Sequence, residues 1–291
     1  MPERAFALPP RLVEAARFDS TGHLTDWIAT LPATIDVLRS LWRLDLGPVM
    51  LPGGAGSWVA PLVGRDLVLK VAFRHVEADG EVAMLRLLDG RGAVRLVDDW
   101  SDDSTVALLL ERCRPGHTLG ETVPEEGQDR IVCDLLARVW ATQANSTFRV
   151  LERMCAYWAE QFEDKIERGI GAMDRHLADD GLRVWRALAS EPSADALLCT
   201  DLHAGNILAA QREPWLLIDP KPHLGDPAYD VLQHMLNCDE RLRADPVALC
   251  RRMAALTELD ADRVSGWLFA RCVIEGLDRP WLQDVARMLA R

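Results

Sequence analysis

Between residues 196 and 221, three short apolar runs (residues 196–199, 207–208 and 215–218) alternate with polar side chains. Runs this short, bounded by turn residues, read as strands. Thr200-Asp201-Leu202-His203-Ala204-Gly205-Asn206 joins the first two runs, and Asp219-Pro220-Lys221 closes the third. This strand island is flanked by helix-like sequence. Residues 131–140 are one helical candidate. Leu151, Met154, Trp158, Phe162 and Ile166 form an apolar stripe at three-to-four spacing, residues 182–188 form a shorter helix, and helices resume at Ala228. The fold must therefore bring Asp201, Asn206 and Asp219 together from a small patch of β-structure set in a helical surround.

The first third reads differently. After Pro9-Pro10, two helix-like stretches run to about residue 48, and residues 53–57 form a glycine-dense break containing Gly53, Gly54, Gly56 and Ser57. Strands are expected at 58–63, 67–72, 94–97 and 106–110. An acidic turn over 98–103 joins the last two, and a helix over 77–88 ends at Gly90 and Gly92. The first third is thus mostly an antiparallel sheet with one inserted helix. Arg112-Cys113-Arg114-Pro115-Gly116 has the turn chemistry of a connector, which divides the chain into residues 1–113 and 114–291.

Polar residues in this order fit phosphoryl transfer. A carboxylate, Asp201, accepts the proton of an attacking hydroxyl. An amide oxygen on Asn206 and a second carboxylate on Asp219 are hard ligands for Mg²⁺, which bridges phosphate oxygens and offsets their charge. Upstream, Lys70 lies within an apolar strand, where a buried ammonium needs a partner. Glu77 and Glu81 are four apart and share one face of the next helix. Glu81 sits deeper in the apolar stripe and is the expected partner. A lysine so held presents its ammonium to nucleotide phosphates. Backbone N–H groups of the glycine loop can approach a triphosphate closely, although a plain hairpin has the same composition. The loop lacks a following Gly-Lys-Ser or Gly-Lys-Thr, so it is not a Walker loop.

The composition narrows the partners. Acidic residues outnumber basic ones 45 to 33, for a net charge of −12. Nucleic-acid binding is disfavoured, because a phosphate backbone needs basic partners, and a cationic ligand, or an anionic one held by a metal, is favoured. The seven cysteines are scattered and never form a Cys-x-x-Cys pair, which argues against a disulfide framework or thiolate zinc site. No signal-like N-terminus and no membrane-length apolar run is present, so a reduced cytoplasmic protein without membrane association is expected. No protein partner is evident. The basic residues include only three lysines, Lys70, Lys165 and Lys221. Lys221 either touches phosphate or pairs with an acid.

Taken in order, the loop, strand lysine, helix glutamate, connector, Asp-x-x-x-x-Asn and Ile-Asp-Pro resemble the aminoglycoside phosphotransferases. The similarity is strongest to the streptomycin and hydroxyurea kinase branch over residues 197–238, with support from Gly225-Asp226-Pro227-Ala228-Tyr229-Asp230 and from residues 108–116. The resemblance spans about residues 45 to 280. It implies an α+β, protein-kinase-like fold with a small antiparallel N-lobe and a larger helical C-lobe. It further implies ATP between the lobes, with adenine at the backbone from Glu111 to Cys113, and transfer of the γ-phosphate to an antibiotic hydroxyl. Cys199-Thr200 stands where that family often has His-Gly, which bears on the geometry of the loop. Cys199 reads as a small buried apolar residue, and His203 as a group packed or hydrogen-bonded within its loop. Asp226 is expected to orient the Asp219 segment, and Asp230 to start or cap the following helix.

Streptomycin carries guanidinium groups, so carboxylates in the helical part suit it. Glu275, Asp239 and Glu240 are the expected acceptor contacts, with solvated helix acids as the plain alternative. Kinases of hydroxyurea or another hydroxylated metabolite, and a non-catalytic module on the same fold, are the competing readings. The full set of Lys70, Asp201, Asn206 and Asp219 argues against the last of these.

Overall fold

The structure, a computed structural model, describes residues 6–144 and 147–290, the side chain of residue 76 apart. It divides into two compact units. One comprises the chain up to Gly116 together with Ala210–Leu216, and the other His117–Ala209 with Leu217–Arg291. The division falls three residues beyond Cys113, and the excursion 210–216 groups with the first unit.

In the first unit, α1 (Pro10–Phe18) and α2 (His23–Trp42) precede β1 (Ser57–Pro61), β2 (Leu67–Phe73), α3 (Val76–Leu88), β3 (Leu96–Ser101) and β4 (Thr105–Glu111). The strands form one antiparallel sheet in the order β1-β2-β4-β3. Trp27, Leu31, Ile35 and Leu38 recur at helical spacing along α2 and pack in a buried cluster with Leu69, Val71, Ala107 and Leu109 of the sheet. The Trp27 indole N–H would be costly to bury unpaired, and it donates to Thr105 Oγ1 at 3.0 Å. Side chains alternate along a strand, so the residue between Leu69 and Val71 cannot point into that cluster. That residue is Lys70, which is directed to the opposite face of β2.

The third strand lies later than its sequence suggests. Asp98 and Asp99, expected in a turn, belong to β3, where the register against β4 shifts between Leu96 and Asp98. β3 is an edge strand, and exposed carboxylates there discourage pairing with another chain. This is why a strand could carry a run that reads as a loop.

The second unit contains α4 (Leu119–Thr122), α5 (Glu125–Trp140), α6 (Leu151–Glu167) and α7 (Arg175–Ser190). The island follows as β5 (Ala196–Leu198), β6 (Ile207–Ala209), β7 (Trp215–Leu217) and β8 (His223–Gly225), then α8 (Pro227–Asp230), α9 (Leu232–Met235), α10 (Asp239–Ala244), α11 (Pro246–Thr257), α12 (Ala261–Ile274) and α13 (Leu282–Leu289). β8 has no counterpart among the expected strands; it pairs antiparallel with β5. The helical core centres on Trp185, Tyr229 and Trp267, whose rings meet edge to face at centroid distances of 5.4, 6.0 and 5.1 Å. Among the described residues, no helix is long and apolar enough to cross a membrane.

Candidate active site

In the first unit, the Lys70 ammonium reaches both carboxylate oxygens of Glu81, at 2.8 Å and 2.6 Å. Lys70 is 8% exposed and Glu81 3%. A buried charge persists only when its partner is well placed, and here β2 and α3 each contribute one. Glu77, half-buried in the first turn of α3, donates its backbone N–H to His75 Nδ1 at 3.2 Å, and Glu81 is the acid in the pair described above. The glycine loop enters β1 at Ser57. Gly53 has φ +75°, and a Cβ there would lie 2.4 Å from Pro9 Cβ, so packing alone accounts for that glycine. A Cβ at Gly54 would lie 2.9 Å from Ser57 Oγ, whereas one at Gly56 would meet nothing within 4 Å. Gly56 is therefore the glycine that internal packing does not explain.

At the end of β4, the Glu111 carboxylate is held by Arg212, whose Nη2 lies 2.9 Å from Oε2. The same guanidinium bonds the carbonyls of Gly90, at 2.5 Å, and Ala93, at 2.8 Å. The Glu111 side chain is thus occupied with closing its own unit. The backbone of Glu111 stays in the sheet, paired with Leu67. Burial and the nearby Glu111 charge push the Cys113 thiol up to about 12, so it carries no thiolate at neutral pH.

In the second unit, the loop from Thr200 to Asn206 is tied down at several points. The Asn206 side-chain amide donates to the Asp201 carbonyl at 3.0 Å. That bond fixes the nitrogen end of the amide and leaves its oxygen end as the acceptor. Asn206 O accepts from Ile218 N at 2.9 Å, which brings Asn206 beside the segment ending in Asp219. Asp219 has φ +53° and Thr200 φ +48°, left-handed backbone that costs a non-glycine residue energy and is tolerated where the surroundings impose it. One amide oxygen and one carboxylate are a fitting donor set for Mg²⁺, which retains several other oxygen ligands from water or phosphate. His203 Nδ1 accepts from Gly205 N at 3.0 Å, and burial lowers the imidazole against the opposing pull of Asp201. His203 is a local cap for the turn before Asn206.

Two acids act otherwise than expected. Asp226 Oδ1 accepts from Ala228 N at 3.0 Å and caps α8, and its Oδ2 takes Arg263 Nε at 2.5 Å and Trp267 Nε1 at 2.8 Å. It ties α12 to α8 and does not orient the Asp219 segment through any of these bonds. Asp230, fully buried, instead accepts the backbone N–H groups of Cys199 and Thr200 at 2.9 and 2.6 Å, together with the Trp140 indole N–H at 2.9 Å. It anchors the residues immediately before Asp201. Burial pushes its carboxyl up to about 6, against the three donors that pull it down. Cys199 is buried, and desolvation raises its thiol well above the ordinary value.

Lys221 pairs with an acid. Its Nζ lies 2.7 Å from Asp201 Oδ2. Its N–H donates to Cys199 O at 3.0 Å, and its carbonyl accepts the Thr200 hydroxyl at 2.6 Å.

Of the acids expected to meet an acceptor, Glu275 and Asp239 line one polar cavity of about 500 Å³ with Gln233, Asn237, Arg271 and Arg279. Both are already paired: Glu275 with Arg271 at 2.5 Å and Arg279 at 3.4 Å, Asp239 with Arg279 at 3.3 Å. Glu240 is exposed and is not among the residues lining this cavity. The arginines could not be anticipated from a count of surplus acid, because only the packing of α12 beside α9 places Arg271 in the cavity.

Comparison with known proteins gives the family of the chain. Residues 42–284 match the family model described as aminoglycoside/hydroxyurea antibiotic resistance kinase. A streptomycin 6-kinase of Streptomyces glaucescens is 34% identical over 260 residues, covering 86% of this chain and 83% of the relative. A hydroxyurea phosphotransferase of Kitasatospora aureofaciens is 34% identical over 273 residues, covering 91% and 78%. Among solved structures, choline kinase LicA of Streptococcus pneumoniae superposes with a TM-score of 0.62 at 15% identity, over 90% of this chain and 99% of that one, and supports the protein-kinase-like fold. With a match spanning most of its length, the chain belongs to the aminoglycoside/hydroxyurea antibiotic resistance kinase family.

Proposed function

We propose that this kinase moves the γ-phosphate of ATP to a hydroxyl of streptomycin and so inactivates it. The observation that carries the reading is the tethering of Asp201, Asn206 and the Asp219 segment in one loop system, in a chain 34% identical to a streptomycin 6-kinase. Asp201 orients the acceptor hydroxyl and takes its proton late. Asn206 and Asp219 would hold Mg²⁺, which supplies charge neutralisation at the phosphates when bound. The Lys70–Glu81 pair serves the α- and β-phosphates. Gly56 lies in the loop whose N–H groups would approach the triphosphate, with Gly53, Gly54 and Ser57 shaping it, and the backbone from Glu111 to Cys113 takes the adenine. Positioning and electrostatics supply most of the acceleration.

The acceptor pocket is assigned to the cavity holding Asp239 and Glu275. Its formal charges balance, with two carboxylates against Arg271 and Arg279. A guanidinium-bearing acceptor would have to compete with these arginines for the carboxylates. Glu240 is retained only as a contributor to the negative field. A cytoplasmic setting is part of the proposal, consistent with ATP use and with the seven cysteines being free thiols.

Hydroxyurea is the second reading, favoured by the similarity to the hydroxyurea phosphotransferase over 91% of this chain. Transfer of label from γ-labelled ATP, screened over streptomycin, other aminoglycosides, hydroxyurea and simple sugars, decides between them. Label on streptomycin at the highest kcat/KM supports the proposal. Label on hydroxyurea alone moves the assignment to the second reading, and no transfer to any acceptor contradicts both.

A further inference from the structure

We propose that Lys221 is a catalytic residue that holds the phosphoryl group in flight, and not merely the counter-ion of Asp201. The inference rests on the assignment of Asp201 as the group that orients the acceptor.

The local sequence builds the position. Lys221 lies between Pro220 and Pro222, both buried. Neither proline has a backbone N–H, and a residue before proline is held in extended backbone. The Lys221 N–H is therefore the sole backbone donor of the tripeptide, and it is spent on Cys199 O at 3.0 Å. The Lys221 carbonyl takes the Thr200 hydroxyl at 2.6 Å. Lys221 is thus stapled on both sides of its peptide to the two residues that precede Asp201, and those residues are themselves held by Asp230. The backbone is fixed, while the ammonium, on a four-carbon stem, is about a third exposed and rests 2.7 Å from Asp201 Oδ2.

Distance then limits what this ammonium can meet. An acceptor oxygen hydrogen-bonded to Asp201 lies about 3 Å from the carboxylate. A phosphorus under attack lies about 3–3.5 Å beyond that oxygen. The equatorial oxygens of the moving phosphoryl group consequently come within a short swing of the Lys221 side chain. In the transfer, the acceptor oxygen forms its bond to the γ-phosphorus as the bond from that phosphorus to the β-bridging oxygen breaks. ADP leaves with that electron pair, and the acceptor proton passes to Asp201. Charge is spread over the equatorial oxygens throughout, and an ammonium placed there stabilises the transition state more than the ground state. A lysine serving only to orient Asp201 would act through the carboxylate alone, and the two roles are separable by experiment.

The test compares wild type, Lys221→Met, Lys221→Arg, Asp201→Asn and the double variant Asp201→Asn/Lys221→Met. Calorimetry measures the affinity for MgADP and for MgADP with aluminium fluoride, a mimic of the moving phosphoryl group. Lys221→Met is expected to weaken the fluoride complex by about 10²–10³-fold while MgADP affinity stays within about twofold. The same loss is expected on the Asp201→Asn background, where the pair with Asp201 is already gone, and Lys221→Arg should recover part of it. Should Lys221→Met fold poorly, Lys221→Gln is read in the same way. Loss in the wild-type background with none in the Asp201→Asn background overturns the proposal and makes Lys221 a positioning residue. Near-normal phosphate transfer by Asp201→Asn overturns the assignment of Asp201 instead. An aluminium fluoride complex no tighter than MgADP itself overturns the kinase reading on which both depend.

Discussion

Among the candidate site residues, each unit of this kinase carries one lysine–carboxylate pair, and the two are built for different ends. Lys70 and Glu81 are both buried, and the ammonium engages both carboxylate oxygens. Lys221 and Asp201 are partly exposed, with side-chain accessibilities of 34% and 21%, and the ammonium lies 2.7 Å from Asp201 Oδ2. A buried pair cannot exchange partners cheaply, because each charge left alone pays its full desolvation cost. A half-exposed pair can, because water screens the separated charges. The first pair therefore fixes an ammonium in place before any nucleotide arrives. The second is positioned to open when an acceptor and a phosphate enter.

Removing each lysine is the strongest way to break the comparison. Lys70→Met should destabilise the protein by about 3–5 kcal/mol, because it removes the ammonium that faces the buried Glu81 carboxylate. Lys221→Met should shift stability by no more than about 1 kcal/mol, since its pair is half solvated. Urea denaturation of both variants measures the contrast. Equal losses would mean that the two pairs do the same structural work. Lys70→Met/Glu81→Leu should recover most of the stability lost by the single variant without restoring ATP use, which separates the fold's need for the pair from the reaction's.

A smaller effect is expected of Asp230, which holds the loop next to the second pair. Its carboxyl is raised from an ordinary 3.8 to about 6. The folded state therefore keeps this proton more tightly than the unfolded chain between those values. The resulting stabilisation is complete below about pH 3.8, declines as the pH rises toward 6, and is level above it. A shift of this size amounts to about 3 kcal/mol at most. Asp230→Asn should flatten that part of the stability–pH curve. It should also weaken the anchoring of Cys199 and Thr200, at a cost of about 1–3 kcal/mol. A curve between pH 4 and 6 with the same slope in both proteins would rule Asp230 out as its source.

Asp129 provides the opposite sign. Burial would raise its carboxyl, but donors from His234, Arg241 and Arg252 more than offset this and hold it below the ordinary range. Its contribution is complete above the unfolded value and is lost only as the pH falls further. Asp129→Asn should therefore lower stability at neutral pH and narrow its gap to wild type under strong acid. A gap that stays constant with pH would contradict this.

Much of this was legible in the chain. A lysine in an apolar strand demands a partner, and a glutamate in the stripe of the next helix is the economical one. Hence Lys70 and Glu81 could be paired before any coordinates. The spacing of Asp201, Asn206 and Asp219 between short apolar runs likewise carried its chemistry on its face. What was hidden depends on contacts between residues far apart in sequence. Asp230 looks like a helix start, and only folding shows its carboxylate turned back to the N–H groups of Cys199 and Thr200, about thirty residues earlier. Arg212 gives no local sign that it will hold Glu111, which lies 101 residues away. The acidic run at Asp98 and Asp99 reads as a turn because strand preference is weakest at an exposed edge, where charge is tolerated. The acids of the acceptor region read as available for a cation until Arg271 and Arg279 are seen beside them.

Asp201 is the point at which the two readings of the second pair meet, so the central claim is tested most directly there. Phosphate transfer from γ-labelled ATP to streptomycin should be followed in wild type and Asp201→Asn, with nucleotide affinity measured in parallel. The expected result is labelled streptomycin in wild type, a fall of about 10²–10⁴-fold in turnover for the variant, and nucleotide affinity close to unchanged. Turnover that survives the substitution, or a wild type that leaves streptomycin unlabelled, would contradict the account.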